Sequence, residues 1–196
     1  MPTAQGGNVA DGRRARSERS RQAIIDAMLE LVGEGVLVPT AQQVSERAGV
    51  GIRTVFRHFS DMESLYSATD AVVREQYQDT FSGGDRAGSL EDRLLHAVEQ
   101  HALAYEAIGK VFLATHAQLW RYQVVRDQYA RTQRQIRADL DDWLPELEDL
   151  PAVDREAVDA VASFETWHRL REHQGLGRKA AVEVVQGLLR RIVLER

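Results

Sequence analysis

The chain has 196 residues, 43% of them hydrophobic, a mean hydropathy of -0.39 and a formal net charge of -5. No apolar run approaches the roughly 20 residues that span a bilayer, and without cysteine there is no disulfide, thiolate metal site or thiol nucleophile. These totals fit one large or two small globular domains. Since Met1–Asp11 lacks the apolar core of a signal peptide, a cytoplasmic location is expected.

Net acidity argues at first against a polyanionic partner, but the charge is unevenly spread. From Gly12 to His58 eight arginines face five acidic residues, a balance of +3; from Phe59 onward seventeen basic residues face twenty-four acidic ones, a balance of -7. The amino-terminal part can favour a polyanion while the remainder repels one. Only Lys110 and Lys179 are lysines, so arginine abundance alone marks no contact.

In chain order, residues 1–16 read as a disordered basic arm, small and polar up to about residue 11 and then carrying Arg13, Arg14 and Arg16. A first helix is expected from about Ser17 to Val32, with Ile24, Met28, Leu31 and Val32 as its core stripe and Ile25 and Leu29 widening it. Gly33 and Gly35 end it. Thr40 with Gln43 has the form of a capping box and opens a short helix whose Val44 and Ala48 lie on one face. Gly49 supplies a turn of positive φ, and Val50 plugs the gap before a second short helix. In that helix Val55 and Phe59 point inward, which puts Arg53 and Arg57 almost opposite them, flanked by Thr54, Phe56 and His58.

Helix, tight turn and helix with an outward face of arginine, hydroxyl, imidazole and aromatic groups suit insertion into a DNA major groove. The expected domain is a helix-turn-helix over residues 17–60. Its base readers would be Ile52, Arg53, Thr54, Arg57 and His58. Thr40, Gln42, Phe56 and the arginines Arg13, Arg14 and Arg16 would position it on the sugar-phosphate backbone.

Ala48-Gly49-Val50, then Thr54-Val55-Phe56-Arg57-His58-Phe59, then Ser60-Asp61-Met62-Glu63-Ser64-Leu65 resembles the signature of the tetracycline-repressor (TetR) family of bacterial transcription regulators. The resemblance covers about Arg21 to Tyr66 and implies an all-α protein, with a DNA-binding module followed by a helical ligand-binding and dimerisation domain over 61–196. Phe56 stands where the family usually has tyrosine, and Met62 where it commonly has lysine. Backbone anchoring is therefore expected to lean on the arginine arm.

Beyond Phe59 no period-two alternation or repeat occurs, and everything reads as helix. Ser60 with Glu63 forms a second capping pattern before a helix from Asp61 to about Phe81, the expected lever between the reading head and later helices. Ser89 caps a segment with Leu90, Leu94, Leu95, Val98 and Leu103 at helical spacing. Lys110–Tyr122 reads as a separate, short aromatic helix. A polar helix from about Val124 to Trp143 follows, and then an acidic linker over Glu146–Pro151. Asp154–His173 and Arg178–Leu194 form the terminal pair. Apolar residues cover more than one face of it, so the surplus calls for a second chain. Candidates for a homodimer interface are Val158, Val161, Val185, Leu188, Leu189 and Ile192, and the resemblance implies a four-helix interface built from two such pairs.

Nothing completes an enzyme. Glu165-Thr-Trp-His168 is the chain's one Glu-x-x-His, whereas a di-iron bundle needs two and further glutamates. The histidines are scattered, and phosphate-loop, nucleophile-elbow and dinucleotide fingerprints are missing. No catalytic residue, metal or cofactor is expected. Tyr105, Phe112, His116, Trp120, Tyr122, Phe164, Trp167 and His168 supply rings with a few polar tips, the lining of an apolar ligand pocket. They equally suit ordinary core. The expectation is a DNA-operator-binding repressor released by an unidentified small effector, neutral or apolar because these residues include no basic cluster. The alternative is a ligand-binding or enzymatic bundle whose first module no longer reads DNA.

Overall fold

The computed structural model describes residues 7–195, with the backbone alone at residues 7–10, 77–79 and 82. The fold is all-α, and no strand occurs among the described residues. Its helices are α1 (Gly7–Gly33), α2 (Ala41–Arg47), α3 (Ile52–His58), α4 (Met62–Ser82), α5 (Leu90–His116), α6 (Gln123–Trp143), α7 (Ala152–Ala162), α8 (Phe164–His168) and α9 (Arg178–Val193). Two compact units result: Met1–Val72 with Leu113–Arg126, and Val73–Phe112 with Asp127–Arg196. Neither ends at residue 60, where the sequence pattern placed a boundary.

In the first unit, α1 starts well before Ser17. Residues 7–16, expected to be disordered, are helical, while residues 1–6 of the expected arm lie outside the described residues. The charge run continues the helix because arginine and alanine are good helix formers. Arg19 Nε and Ser20 Oγ donate back to the carbonyls of Ala15 and Arg16, at 3.4 and 3.1 Å. Gly33 is the last residue of α1, and Gly35 turns the chain with φ +97°. Ile24, Ile25, Met28 and Leu31 of α1 then close a core with Val44 of α2, Val55 of α3, Phe59 and Leu65 of α4.

The cap before α4 also differs. Asp61 Oδ1 accepts from the Ser64 amide at 2.8 Å, so Asp61 does the work expected of Ser60. This hydrogen bond holds the Asp61 carboxyl below its ordinary range. Met62 packs against the core, so this position serves packing. Farther along, Val124 N donates to Glu63 Oε1 at 3.4 Å, and the Tyr66 and Tyr122 ring centroids lie 5.4 Å apart.

In the second unit, Ser89 and Asp92 cap α5 reciprocally: Asp92 N donates to Ser89 Oγ at 3.2 Å, and Ser89 N to Asp92 Oδ2 at 3.1 Å. The separate aromatic helix expected from Lys110 does not form, because α5 runs unbroken to His116. Gly109 is accommodated within it where the Phe164 ring comes close; a Cβ there would lie 3.4 Å from Phe164 Cε2. A 3-10 turn, Pro145–Asp149, replaces most of the expected acidic linker and buries Leu147. The single helix expected over Asp154–His173 breaks at Ser163, which has extended backbone and caps α8 by accepting from Thr166 N at 3.2 Å. A π-helical turn, Arg169–His173, follows α8.

Candidate nucleic-acid interface

The turn that presents α3 is built locally. Both halves of the capping box form, Gln43 N to Thr40 Oγ1 at 3.2 Å and Thr40 N to Gln43 Oε1 at 2.9 Å. Gly49 adopts φ +65°, and Val50 N closes the end of α2 by donating to the Ser45 carbonyl at 3.1 Å. Arg47 is exposed but engaged by acidic residues of α1 and the turn after it: its guanidinium donates to both carboxylate oxygens of Glu34, at 2.8 and 2.7 Å, and reaches Glu30 at 3.4 Å. The hydrogen bond from Arg47 pulls the Glu34 carboxyl below its ordinary range.

With Val55 and Phe59 turned into the core, α3 exposes Ile52, Arg53, Phe56 and Arg57. Thr54 is half-buried. His58, also expected as a base reader, is half-buried, and its Nε2 is enclosed without a hydrogen-bond partner. The helix terminates at His58, where the chain is drawn inward by Phe59. Thr40 and Gln42 are exposed at the start of α2, although Gln42 Nε2 donates to Glu46 Oε1 at 2.6 Å. Arg13, Arg14 and Arg16 are exposed along α1. Arg21, the last arginine of that run, lies over the Phe59 ring at 5.3 Å from its centroid, tying the charge run to the core residue that ends α3.

The ligand-pocket candidates are distributed over both units. Tyr105, Phe112, Phe164, Trp167 and His168 belong to the second unit, whereas His116, Trp120 and Tyr122 belong to the first. Trp120 is 79% exposed, in the turns after α5. Phe112 and Phe164 stack at 4.5 Å, and Phe164 and His168 at 5.6 Å. The second unit has a small cavity of about 10 Å³ whose walls include Tyr105 and Trp167 but none of the other candidates. It also includes a residue absent from the expected pocket, His101. Its Nε2 lies 2.9 Å from Asp139 Oδ2, and Asp139 Oδ1 accepts from Arg86 at 2.7 Å. These partners are too far apart in sequence to leave a spacing signal.

The dimer candidates divide likewise. α7 packs on α9 within the chain, so Val158, Val185 and Leu189 are buried in the protomer and offer nothing to a partner. Val161 and Ile192 are half-buried, and Leu188 is exposed, with Val184 one turn before it. The surplus of apolar residues is thus smaller than the pattern implies, because one helix of the pair covers the other. Among the described residues no three His, Asp or Glu side chains gather as a metal site, and no helix is long and apolar enough to cross a membrane.

No protein-family model matches the chain, and no curated protein does. Solved structures do. A transcriptional regulator from Rhodococcus sp. Rha1 is similar with a TM-score of 0.66 and 16% identity, over 91% of this chain and 96% of that one. A protein assigned as a transcriptional regulator from Streptomyces coelicolor A3(2) is similar with a TM-score of 0.62 and 20% identity, over 90% and 99%. The chain therefore shares the helical fold of proteins described as transcriptional regulators across nearly their whole length.

Proposed function

We propose that the protein is a DNA-binding transcriptional regulator: a cytoplasmic, homodimeric repressor of TetR type that reads a palindromic operator and is released by a small neutral or apolar effector. The observation that carries this reading is the outward face of α3. Two arginines, an isoleucine and a phenylalanine stand exposed on a seven-residue helix whose other face is locked into a core. Such apolar exposure is costly for a helix with no partner and useful against base edges and thymine methyl groups. Arg53 is the bidentate guanine reader, with Ile52, Thr54 and Arg57 beside it. His58, with Nε2 enclosed, contributes orientation more than readout. Thr40, Gln42, Phe56 and the exposed arginines of α1 position the module on phosphates and sugars.

One short recognition helix reads few bases, which is why a twofold dimer is part of the reading. Half-sites would then lie about 34–36 Å apart or at a multiple of the helical turn. Val184 and Leu188 are the residues of α9 left for a partner. Effector release is a population shift, in which a ligand favours a conformer with wrongly spaced recognition helices.

The test is selection of bound fragments from genomic DNA, followed by gel shifts across a salt series. Sequence-specific binding near physiological salt is expected, and failure to select any sequence would sink the regulator reading. On a selected operator, Arg53→Ala should cost about 1–3 kcal/mol and relax specificity at one position in each half-site. Unchanged affinity would remove Arg53 from its role.

A further inference from the structure

We propose that His168 and His173 form a binding site for a divalent transition-metal ion such as zinc, and that the ion clips the π-helical turn between them. The site lies within the second unit and does not depend on DNA binding.

The turn itself makes the pair. His168 immediately precedes Arg169–His173, and His173 ends it. On an α-helix, residues five apart differ by about 140° and point to different sides. Here Gln174 N donates to the Arg169 carbonyl at 3.0 Å, the i→i+5 bond of a π-helix, and Leu176 N donates to the Leu170 carbonyl at 3.0 Å. This wider winding brings the two imidazoles together, with ring centroids 5.3 Å apart and planes at 81°. Two imidazoles bound to one tetrahedral ion, each with a nitrogen about 2.0–2.1 Å from it, have centroids about 5 Å apart. The sequence spacing, His168-Arg-Leu-Arg-Glu-His173, also falls within the range of paired zinc-binding histidines.

Both rings have nitrogens to offer. Among the described residues, neither imidazole makes a hydrogen bond or an ion pair. His168 is half-buried and stacked on Phe164, with 21° between the planes, which sets the plane of its ring. His173 is exposed, so its ring can turn a nitrogen to the same ion. Arg171 is directed elsewhere: its guanidinium donates to Glu106 at 2.8 Å and to the Leu176 carbonyl. Arg169 and Glu172, both exposed on the turn, offset each other in charge. Imidazole suits zinc, copper and nickel, whereas magnesium and calcium take oxygen ligands. Two protein ligands leave the remaining positions to water, so the site is open and its occupancy reversible. An ion held by both rings opposes rewinding of the turn into α-helix, which would carry the two imidazoles apart.

Zinc chloride is titrated into the untagged full-length protein at about pH 7.5, above the ordinary imidazole value, with magnesium chloride as the control. Binding is followed by calorimetry and by the imidazole resonances, and the turn by amide exchange at Gln174 and Leu176. Zinc should bind, shift the His168 and His173 resonances together and slow exchange at both amides. Magnesium should do none of these. His173→Gln, at an exposed position, should weaken zinc binding at least about tenfold, since even partners behind a ligand are worth that much, and should remove the slowing. His96→Gln, also at an exposed position, should bind zinc as the wild type does. Failure of zinc to bind, shifts confined to the other histidines, or unchanged exchange at Gln174 and Leu176 would overturn the proposal. Undiminished zinc affinity in His173→Gln would overturn it as well.

Discussion

The two compact units hold their chemistry on opposite sides of their cores. In the first, the core around Ile24, Val44, Val55 and Phe59 is apolar, the buried polar side chains Ser45, Thr69 and Gln118 are uncharged, and the groups proposed to act are outside that core. In the second, the polar groups of interest are inside: His101 and Asp139 are buried, and Tyr105 donates to a carbonyl within the unit. A surface that must meet a large polyanion can be laid on any well-packed scaffold. A pocket for a small molecule has to be built into the packing itself. Damage to the core should therefore act on the first unit through stability alone, and on the second through stability and the geometry of its buried polar groups together.

The largest effect is expected at Ile24, which is completely buried. Ile24→Ala should cost about 2–5 kcal/mol of stability, read from urea unfolding followed by circular dichroism. At temperatures where the variant is folded, its operator affinity should equal the wild type's, since Ile24 is remote from the outer face of α3. A folded variant with tenfold weaker binding would break the separation of scaffold from surface. The corresponding experiment in the second unit is Gly84→Ala. Gly84 has φ +102°, and a Cβ there would lie 2.8 Å from Trp143 Cη2. Strain and displacement together should cost about 1–3 kcal/mol. As Trp143 supports Arg86, and Arg86 supports Asp139, this substitution should also shift the imidazole nitrogen resonances of His101. Destabilisation with unmoved His101 resonances would show that the chain from Trp143 to His101 is not coupled.

The same contrast decides what could be read from sequence. The capping box at Thr40, the turn at Gly49 and the inward pair Val55 and Phe59 are contacts over three or four residues, so spacing reveals them, and the outer face of α3 follows by subtraction. Near misses in the same region were local competitions. Asp61 captured the cap that Ser60 could have formed, and the arginine run extended α1 although its charge suggested an arm. In the second unit the decisive partners are remote in sequence. Nothing at His101 signals Asp139, and nothing at Val158, Val185 or Leu189 signals that α7 and α9 cover each other. Apolar periodicity therefore cannot tell a face covered by a neighbouring helix from one left for a partner chain. The break at Ser163 was hidden because apolar periodicity continues across it.

A milder change tests the locally written part of that contrast. Thr40→Ala removes the hydroxyl that accepts from the Gln43 amide while leaving the core of the first unit intact. The loss should be about 1 kcal/mol, and Thr40→Ser should restore it. If binding of an operator falls in Thr40→Ala and returns fully in Thr40→Ser, the hydroxyl has a backbone contact in addition to its cap. Equal stability of all three proteins would show that the capping box contributes nothing measurable.

The smallest effect appears only at high pH, and it concerns Tyr66, a half-buried ring of the first unit. Burial pushes the Tyr66 phenol up to about 12, and the neighbouring Tyr122 adds to the shift. The ordinary phenol value is 10.0. Because the folded value is the higher one, the folded protein holds its proton after the unfolded chain has lost its own. The stabilising contribution is thus complete below pH 10 and is lost as pH rises through the interval to about 12. Tyr66→Phe cannot ionise, so its stability should fall less steeply over that interval. The decline should be reduced and not abolished, because Tyr105 and Tyr129 in the second unit are also shifted upward by burial. Urea midpoints measured at a series of alkaline pH values give the comparison directly. Parallel curves for the two proteins would mean that Tyr66 reaches solvent before the unit unfolds, and that the first unit, unlike the second, keeps no ionisable group inside.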